Sequence, residues 1–171
     1  MNADIRNAWL RASGPDLLKH CKEERYRASG PGGQRRNKVE TAIRLHHAPS
    51  GVTAHAEDSR SPEGNRTRAV SRLRERIAFE IRAPFTSPPP EFAAQRGPRG
   101  ALAVNPKNPN WPIVAATALD ALADAAGSYA AAAAKLDITT SQLLKFLESD
   151  RELWRAASLL RTSSRPDGRG G

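Results

Sequence analysis

The 171-residue sequence predicts an α+β fold, in which antiparallel strands and a basic helix form one module and a second module is all-α. Three observations support this prediction. Residues 39–45 alternate between apolar and polar side chains, and residues 70–81 carry an apolar side chain every three or four positions. Residues 83–112 are rich in proline and glycine. A period of two favours a half-buried strand, a period near 3.6 favours an amphipathic helix, and closely spaced prolines disfavour both.

In the N-terminal module, residues 1–82, the alternating strand is preceded by two weaker elements. Pro15 to Cys21 is expected to form a short helix capped by Ser13, and residues 23–27 to be extended. Residues 48–51 have the composition of a tight turn, after which Val52 to Ala56 returns as the partner strand.

A basic helix is expected to close this module. Ser61 is a suitable N-cap, and Pro62 fits the first helical position, where the missing N–H has no cost. The apolar stripe of this helix predicts its buried face: Val70, Leu73, Ile77 and Ile81.

Residues 83–111 are predicted to be a linker without a helix or a central strand, because of their prolines and glycines. An alanine-rich helical module, residues 112–161, is expected next, and a disordered basic tail over residues 162–171. Four helices are expected in the helical module, each predicted from the residues that cap or stop it. They are Asn110 to Ala126, stopped by Gly127; Tyr129 to Leu136, capped by Ser128; Thr139 or Thr140 to Glu148; and Arg151 to Arg161.

The charge distribution indicates a polyanion-binding protein. The formal net charge is +9, and residues 1–82 hold 17 of the 27 Lys and Arg side chains against 10 of the 18 acidic ones. A single cysteine, Cys21, excludes an internal disulfide and a CxxC zinc site, which suits a reducing cytosol. With no signal peptide and no run that would span a bilayer, a soluble cytoplasmic protein without a membrane partner is expected.

Residues 28–38, Ala-Ser-Gly-Pro-Gly-Gly-Gln-Arg-Arg-Asn-Lys, are the most informative stretch. Glycines allow a backbone to take positive φ and to approach another surface closely, and the cations that follow suit a phosphate surface. Gly-Gly-Gln alone is a weak motif. The wider order is more specific: the glycine loop, Asn37-Lys38, an alternating strand, a Pro-Ser-Gly turn, then Arg60-Ser61 and Asn65-Arg66 opening a basic helix.

That order, over about residues 20–82, resembles the catalytic domain of class I peptide chain release factors and of the related hydrolases that rescue stalled ribosomes. The resemblance implies hydrolysis of the ester between a nascent peptide and P-site tRNA, with Gly32, Gly33 and Gln34 as the catalytic residues. The backbone N–H of Gln34 would face the developing negative charge. The implied partners are rRNA of the large ribosomal subunit, the peptidyl-tRNA and a methyltransferase acting on Gln34. A monomer without cofactor or metal is expected.

The residues expected to contact RNA follow from the same motifs: Arg35, Arg36, Asn37, Lys38, Arg60, Asn65 and Arg66. Alternatives stay open. Residues 35–38 also fit a solvated basic loop, while Arg60, Ser61, Asn65 and Arg66 either brace the loop or touch RNA, and Ser61 has the further option of capping the helix alone. The His46-His47 pair fits a metal ligand, although such pairs more often face solvent or RNA.

Two positions depart from the family pattern. Arg35-Arg36 stands where many relatives have His-Val, and Pro62 stands where Gln usually follows Arg-Ser. Pro62 removes a side-chain amide and a backbone donor at that point. Because Gly-Gly-Gln is intact, these differences bear on docking to the ribosome rather than on the chemistry.

The order of modules favours one of two functions. About 20 residues precede the stretch that resembles the catalytic domain and no stretch resembles a codon-reading loop, so codon-independent rescue is expected rather than stop-codon decoding. Residues 130–147 resemble a helix-turn-helix, which would read nucleic acid or, as the acidic residues after it favour, pack against a partner. The alternative function is therefore a non-catalytic ribosome- or RNA-binding adaptor that uses this module.

Overall fold

The computed structural model describes residues 1–27, 40–97, 101–102 and 104–163. Within this part of the chain it contains a three-stranded antiparallel sheet and eight helices, which confirms the predicted α+β class. In chain order the elements are α1 (Ala3–Arg11), α2 (Gly14–Leu18), β1 (Cys21–Tyr26), β2 (Ala42–His47), β3 (Thr53–Ala56), α3 (Pro62–Glu80), α4 (Pro90–Ala94), α5 (Trp111–Asp124), α6 (Tyr129–Lys135), α7 (Thr140–Leu147) and α8 (Arg151–Ser163).

The chain divides into two compact units. The sheet unit is Ala12–Ile77, and the helical unit is Met1–Arg11 together with Ala78–Gly171. The division falls near residue 77, and α1 groups with the C-terminal helices. A domain over residues 1–82, followed by a linker and a separate module, stays a prediction.

In the sheet unit, β2 is the central strand and pairs antiparallel with β1 and with β3. Its alternation agrees with the prediction, since Ile43 and Leu45 are buried while Arg44 and His46 are exposed. The observed β2, Ala42–His47, begins three residues after the start of the predicted strand, 39–45, and ends two residues beyond it.

The tight turn after β2 sets the register of β3. Gly51 has φ +72°, which glycine adopts without strain, and its N–H donates to His47 O at 2.9 Å. His47 N–H donates to Val52 O at 2.8 Å, so this pair is hydrogen-bonded. Because hydrogen-bonded and non-bonded pairs alternate in an antiparallel ladder, the carbonyls of Thr53 and His55 face away from β2, along the open edge of the sheet.

Helix α3 begins as its sequence predicts. Ser61 Oγ accepts a hydrogen bond from Gly64 N–H at 3.3 Å, and Pro62 is the first helical residue. Three residues of the predicted stripe, Val70, Leu73 and Ile77, are buried, and Ala69 and Ala78 are buried beside them, whereas Ile81 is only half-buried. The helix stops at Glu80, short of the predicted end. Ala83 precedes Pro84, and a residue before proline is disfavoured in the α conformation, so the helix has to end before Ala83.

Two arginines of α3 bond to the open edge of β3. Arg72 donates to His55 O at 2.9 Å and to the carboxylate of Asp58 at 3.0 Å. Arg76 donates to Thr53 O. Both arginines can reach the strand because the spacings agree. Residues four apart on a helix are separated by about 6 Å along its axis, and carbonyls two residues apart on a strand by about 6.8 Å.

The helical unit contains the four predicted C-terminal helices, α5 to α8. Ser128 caps α6 by accepting from Ala131 N–H at 3.3 Å, and Thr139 forms a capping box with Gln142 at the start of α7. Asn110 stands at the N-cap of α5 without a side-chain cap bond. The core of the unit is apolar, and its large buried members include Phe92, Trp111, Leu119, Leu122, Leu136, Leu143 and Leu147.

Two helices were not expected. The prediction that residues 83–111 hold no helix is wrong, because α4 starts at Pro90 and buries Phe92 completely. Proline is tolerated in the first turn, where its missing N–H has no helical partner. α1 shows little apolar periodicity because its buried face includes Arg6 and Asn7. None of the described helices is long and apolar enough to cross a membrane.

Candidate functional site

The predicted catalytic residues Gly32, Gly33 and Gln34 lie outside the described residues, as do the predicted RNA contacts at residues 35–38. The structure does describe the frame on both sides of this segment. Residues 21–27 lead into it, and residues 40–47 follow it. The geometry of that frame shows what holds the two ends of the segment.

Both ends of the segment are held at one end of the β1–β2 pair. Tyr26 and Ala42 are register partners, the last in the ladder. One residue further out, Arg27 Nε lies 3.5 Å from Glu40 Oε1. The chain therefore leaves the sheet and returns to it at adjacent points, so the connection between β1 and β2 is a hairpin connection.

The exposed face beside this point carries a small polar cluster. The Arg44 guanidinium lies 4.9 Å from the centroid of the Tyr26 ring, in cation–π geometry, and also 3.7 Å from Glu24. Tyr26 OH donates to Glu57 Oε2 at 3.4 Å, and burial raises the pKa of this phenol, with Glu57 contributing. This cluster was not predicted from the sequence, because it depends on the register that makes Glu24 and Arg44 cross-strand neighbours.

Asn65 ties the returning end of the segment to the start of α3. Its side chain is fully buried, and its amide nitrogen donates to Thr41 O at 2.7 Å and to Ser59 O at 2.9 Å. Its amide oxygen accepts from Ser59 N–H at 2.8 Å. A buried side chain with these three bonds presents no surface to RNA, so the geometry favours bracing over the RNA contact predicted for Asn65.

Arg66 is engaged within the sheet unit. It forms a bidentate pair with Glu23 on β1, at 2.8 and 2.7 Å, and this hydrogen-bonded guanidinium lowers the pKa of the Glu23 carboxyl. Arg60 is exposed and makes no hydrogen bond or ion pair with another described residue, and the same holds for Arg68. Of the predicted RNA contacts that the structure describes, Arg60 is thus the one whose charge is available.

The two adjacent histidines have different environments. His46 is exposed, with Nδ1 3.0 Å from Thr53 Oγ1. His47 is fully buried, with Nδ1 2.7 Å from Ser50 Oγ, and burial, together with neighbouring His20 and His46, lowers its pKa to about 4. His47 is therefore neutral at pH 7. Over the described ranges, no three His, Cys, Asp or Glu side chains are arranged to hold a metal ion.

Comparison with known proteins assigns this frame and its connection to a family. The family model for the RF-1 domain matches residues 18–93. These residues are an RF-1 domain. The domain covers β1 to α4 and includes Gly32, Gly33 and Gln34.

Curated relatives match over the same domain. The chain is 50% identical to peptide chain release factor 2 of Acidovorax ebreus over 58 residues, which are 33% of this chain and 16% of that protein. It is 44% identical to peptide chain release factor 1 of Lacticaseibacillus casei over 59 residues, 34% of this chain and 16% of that protein. It is 48% identical to peptide chain release factor 1 of Geobacter metallireducens over 52 residues, 30% and 15% of the two chains. The matched part is thus about a sixth of the length of these relatives.

Proposed function

We propose that this protein is a peptide-release hydrolase that acts on the ribosome, cleaving the ester between a nascent peptide and P-site tRNA. The observation that carries the proposal is the RF-1 domain at residues 18–93, matched by curated proteins that are named peptide chain release factors. Its partners would be rRNA of the large subunit and peptidyl-tRNA, which would place the protein in the cytoplasm.

In the proposed mechanism the protein supplies no nucleophile. Ester hydrolysis needs a positioned water and a donor directed at the developing negative charge, and a backbone N–H satisfies the second need. Gln34 N–H would be this donor, and the Gln34 side chain would orient or exclude water. Gly32 and Gly33 would allow the close approach of the backbone. A methyltransferase acting on Gln34 is a further proposed partner.

The described frame supports a delivery role for the sheet unit. The ladder to Tyr26–Ala42, the Arg27–Glu40 pair and the Asn65 bonds hold both ends of the segment that contains Gln34. Holding the ends limits the conformations of the connection and lowers the entropy lost when it enters a narrow site. Arg60, exposed beside this frame, is the proposed contact with phosphate.

We further propose that release is independent of a stop codon, as in rescue of stalled ribosomes. This proposal extends the release-factor-like role that the RF-1 domain supports, and the state of the A site decides it. The test is peptide release from ribosomes with an empty, a sense-programmed or a stop-programmed A site. Wild type should release peptide without a stop codon, and Gln34→Ala or Gly33→Ala should lower the rate. Equal release by wild type and both variants would refute the catalytic assignment.

The second candidate function is a non-catalytic adaptor that binds ribosome or RNA through α6 and α7. The observation in its favour is that α7 begins with a capping box and exposes Thr140, Ser141 and Lys145. RNA binding by the full chain that is lost in Lys145→Glu, together with no peptide release by wild type, would favour the adaptor. Release that is unchanged in Lys145→Glu would argue against it.

A further inference from the structure

A cavity in the helical unit gathers most of the buried polar side chains. Six polar or charged side chains are buried among the described residues, and four of them line this one cavity of about 260 Å³: Arg6, Asn7, Thr117 and Asp120. Its walls are α1, α5 and the proline-rich segment 84–90. Buried polar groups that converge on one concave space are the usual mark of a binding site for a small molecule.

The charged groups that meet at Asp120, a lining residue of this cavity, do not balance. The Asp120 carboxylate accepts from Arg6 at 2.6 Å, from Arg82 at 2.9 Å and from Ala83 N–H at 3.1 Å. Two guanidinium groups thus share one carboxylate and leave an excess of one positive charge. Burial raises the pKa of Asp120 and lowers that of Arg82 to about 10, as expected where desolvation exceeds the stabilisation by partners.

Asn7 adds donors without partners. It is 6% exposed, and its amide oxygen is held by Arg6, which donates from Nε at 3.2 Å and from a terminal nitrogen at 3.0 Å. Its amide nitrogen makes no hydrogen bond with any described residue, although Asn7 lines the cavity. An amide nitrogen carries two N–H donors, and in the free protein those of Asn7 can bond only to water that enters the cavity.

The rim sets the size and chemistry of what fits. The exposed hydroxyl groups of Thr86 and Ser87 line it, and Arg11 on the same rim is paired with Glu91 at 2.5 Å. Asp4, which is exposed on the rim, disfavours a highly charged anion. Sites for drug-sized ligands have roughly 300–1,000 Å³, so this cavity suits a smaller molecule.

We propose that this cavity binds a small oxyanion, a phosphate or a carboxylate, through the Asn7 amide N–H groups and the excess positive charge of the Arg6–Asp120–Arg82 cluster. The anion accepts from the unbonded donors of Asn7 and offsets the buried positive charge. The cavity wall formed by residues 84–90 lies within the RF-1 domain match, but the proposed anion site does not use the segment that contains Gln34.

The experiment is a titration of the ¹⁵N-labelled full chain with inorganic phosphate and, separately, with acetate, with sodium chloride holding ionic strength constant. The Asn7 side-chain NH₂ resonances should shift saturably with one or both anions, and the anion that saturates at the lower concentration identifies the source. Asn7→Asp places a carboxylate where the anion is proposed to bind, so it should weaken binding at least about tenfold.

Asn7→Ala removes the amide without adding charge and should also weaken anion binding. If Asn7→Asp does not fold, this variant tests whether the Asn7 amide binds the anion. Asn110→Asp is the matched control, because Asn110 lies in the same unit without a side-chain cap bond and does not line the cavity. It should bind like wild type. No saturable shift up to about 50 mM of either anion, or equal binding by wild type and Asn7→Ala, would overturn the proposal.

Discussion

Replacement of Asn65 by leucine tests whether its side chain holds the returning end of the β1–β2 connection. Leucine has a similar shape but neither donates nor accepts, so the change removes the bonds to Thr41 O and Ser59 O and the bond from Ser59 N–H. At about 1 kcal/mol for each hydrogen bond, the loss is about 3 kcal/mol of unfolding free energy, a large part of the stability of a small domain. Partial exposure of the backbone groups keeps the value from rising further.

Urea denaturation measures this loss, and amide hydrogen exchange locates it. Exchange at residues 40–42 and 59–61 should speed up more than tenfold, because about 1.4 kcal/mol corresponds to a factor of ten. Asn110→Leu is the control, since Asn110 makes no side-chain cap bond, and it should change stability by less than about 0.5 kcal/mol. If Asn65→Leu loses no more stability than this control, the bracing role is wrong.

Three further predictions concern stability. Gly127→Ala should lower the free energy of unfolding by about 2–3 kcal/mol, because Gly127 has φ +78° and an added Cβ would lie 2.8 Å from Arg161 Cα. Gly51→Ala is the control: Gly51 has φ +72° but nothing within 4 Å of an added Cβ, so the loss should be only about 1 kcal/mol. Equal losses in urea denaturation would contradict the close approach at Gly127. The free energy of unfolding should fall by up to about 3 kcal/mol as the pH falls from about 6.5 to about 4, because in this range the unfolded chain binds a proton at His47 and the buried imidazole does not. His47→Gln should flatten the pH dependence of urea midpoints in that range, and an unchanged profile would refute it. Asp120→Asn should cost about 3 kcal/mol, since it leaves the buried Arg6 guanidinium and the partly buried Arg82 guanidinium without their carboxylate, and a loss below about 1 kcal/mol would show that the cluster is not buried in solution.

Most of the fold follows from local sequence. The period of two in β2, the proline at the start of α3 and the caps of α6 and α7 act over a few residues, so the sequence predicts them. α1 and α4 depend on tertiary contacts instead. α1 buries Arg6 against a carboxylate 114 positions away, and α4 buries Phe92 in the core formed by the C-terminal helices.

The sequence predicted the type of domain but not the roles of the residues described beside the candidate site. Gly-Gly-Gln in its context indicated an RF-1 domain, and the match over residues 18–93 confirms this. The sequence left Asn65 and Arg66 with two roles each, because burial and the bidentate pair with Glu23 depend on how α3 lies against the sheet. Motif position alone does not distinguish a side chain that faces a ligand from one that fixes the backbone.

The arginines bonded to β3 have a consequence for association between chains. An open sheet edge with free carbonyl groups is a template for pairing with a strand from another molecule, and such pairing leads to aggregation. Arg72 and Arg76 occupy the carbonyls of His55 and Thr53, so a strand from a second copy would have to displace both side chains to pair with this edge. Part of the arginine content thus serves contacts within the sheet unit, and the basic composition is not a measure of RNA contacts alone.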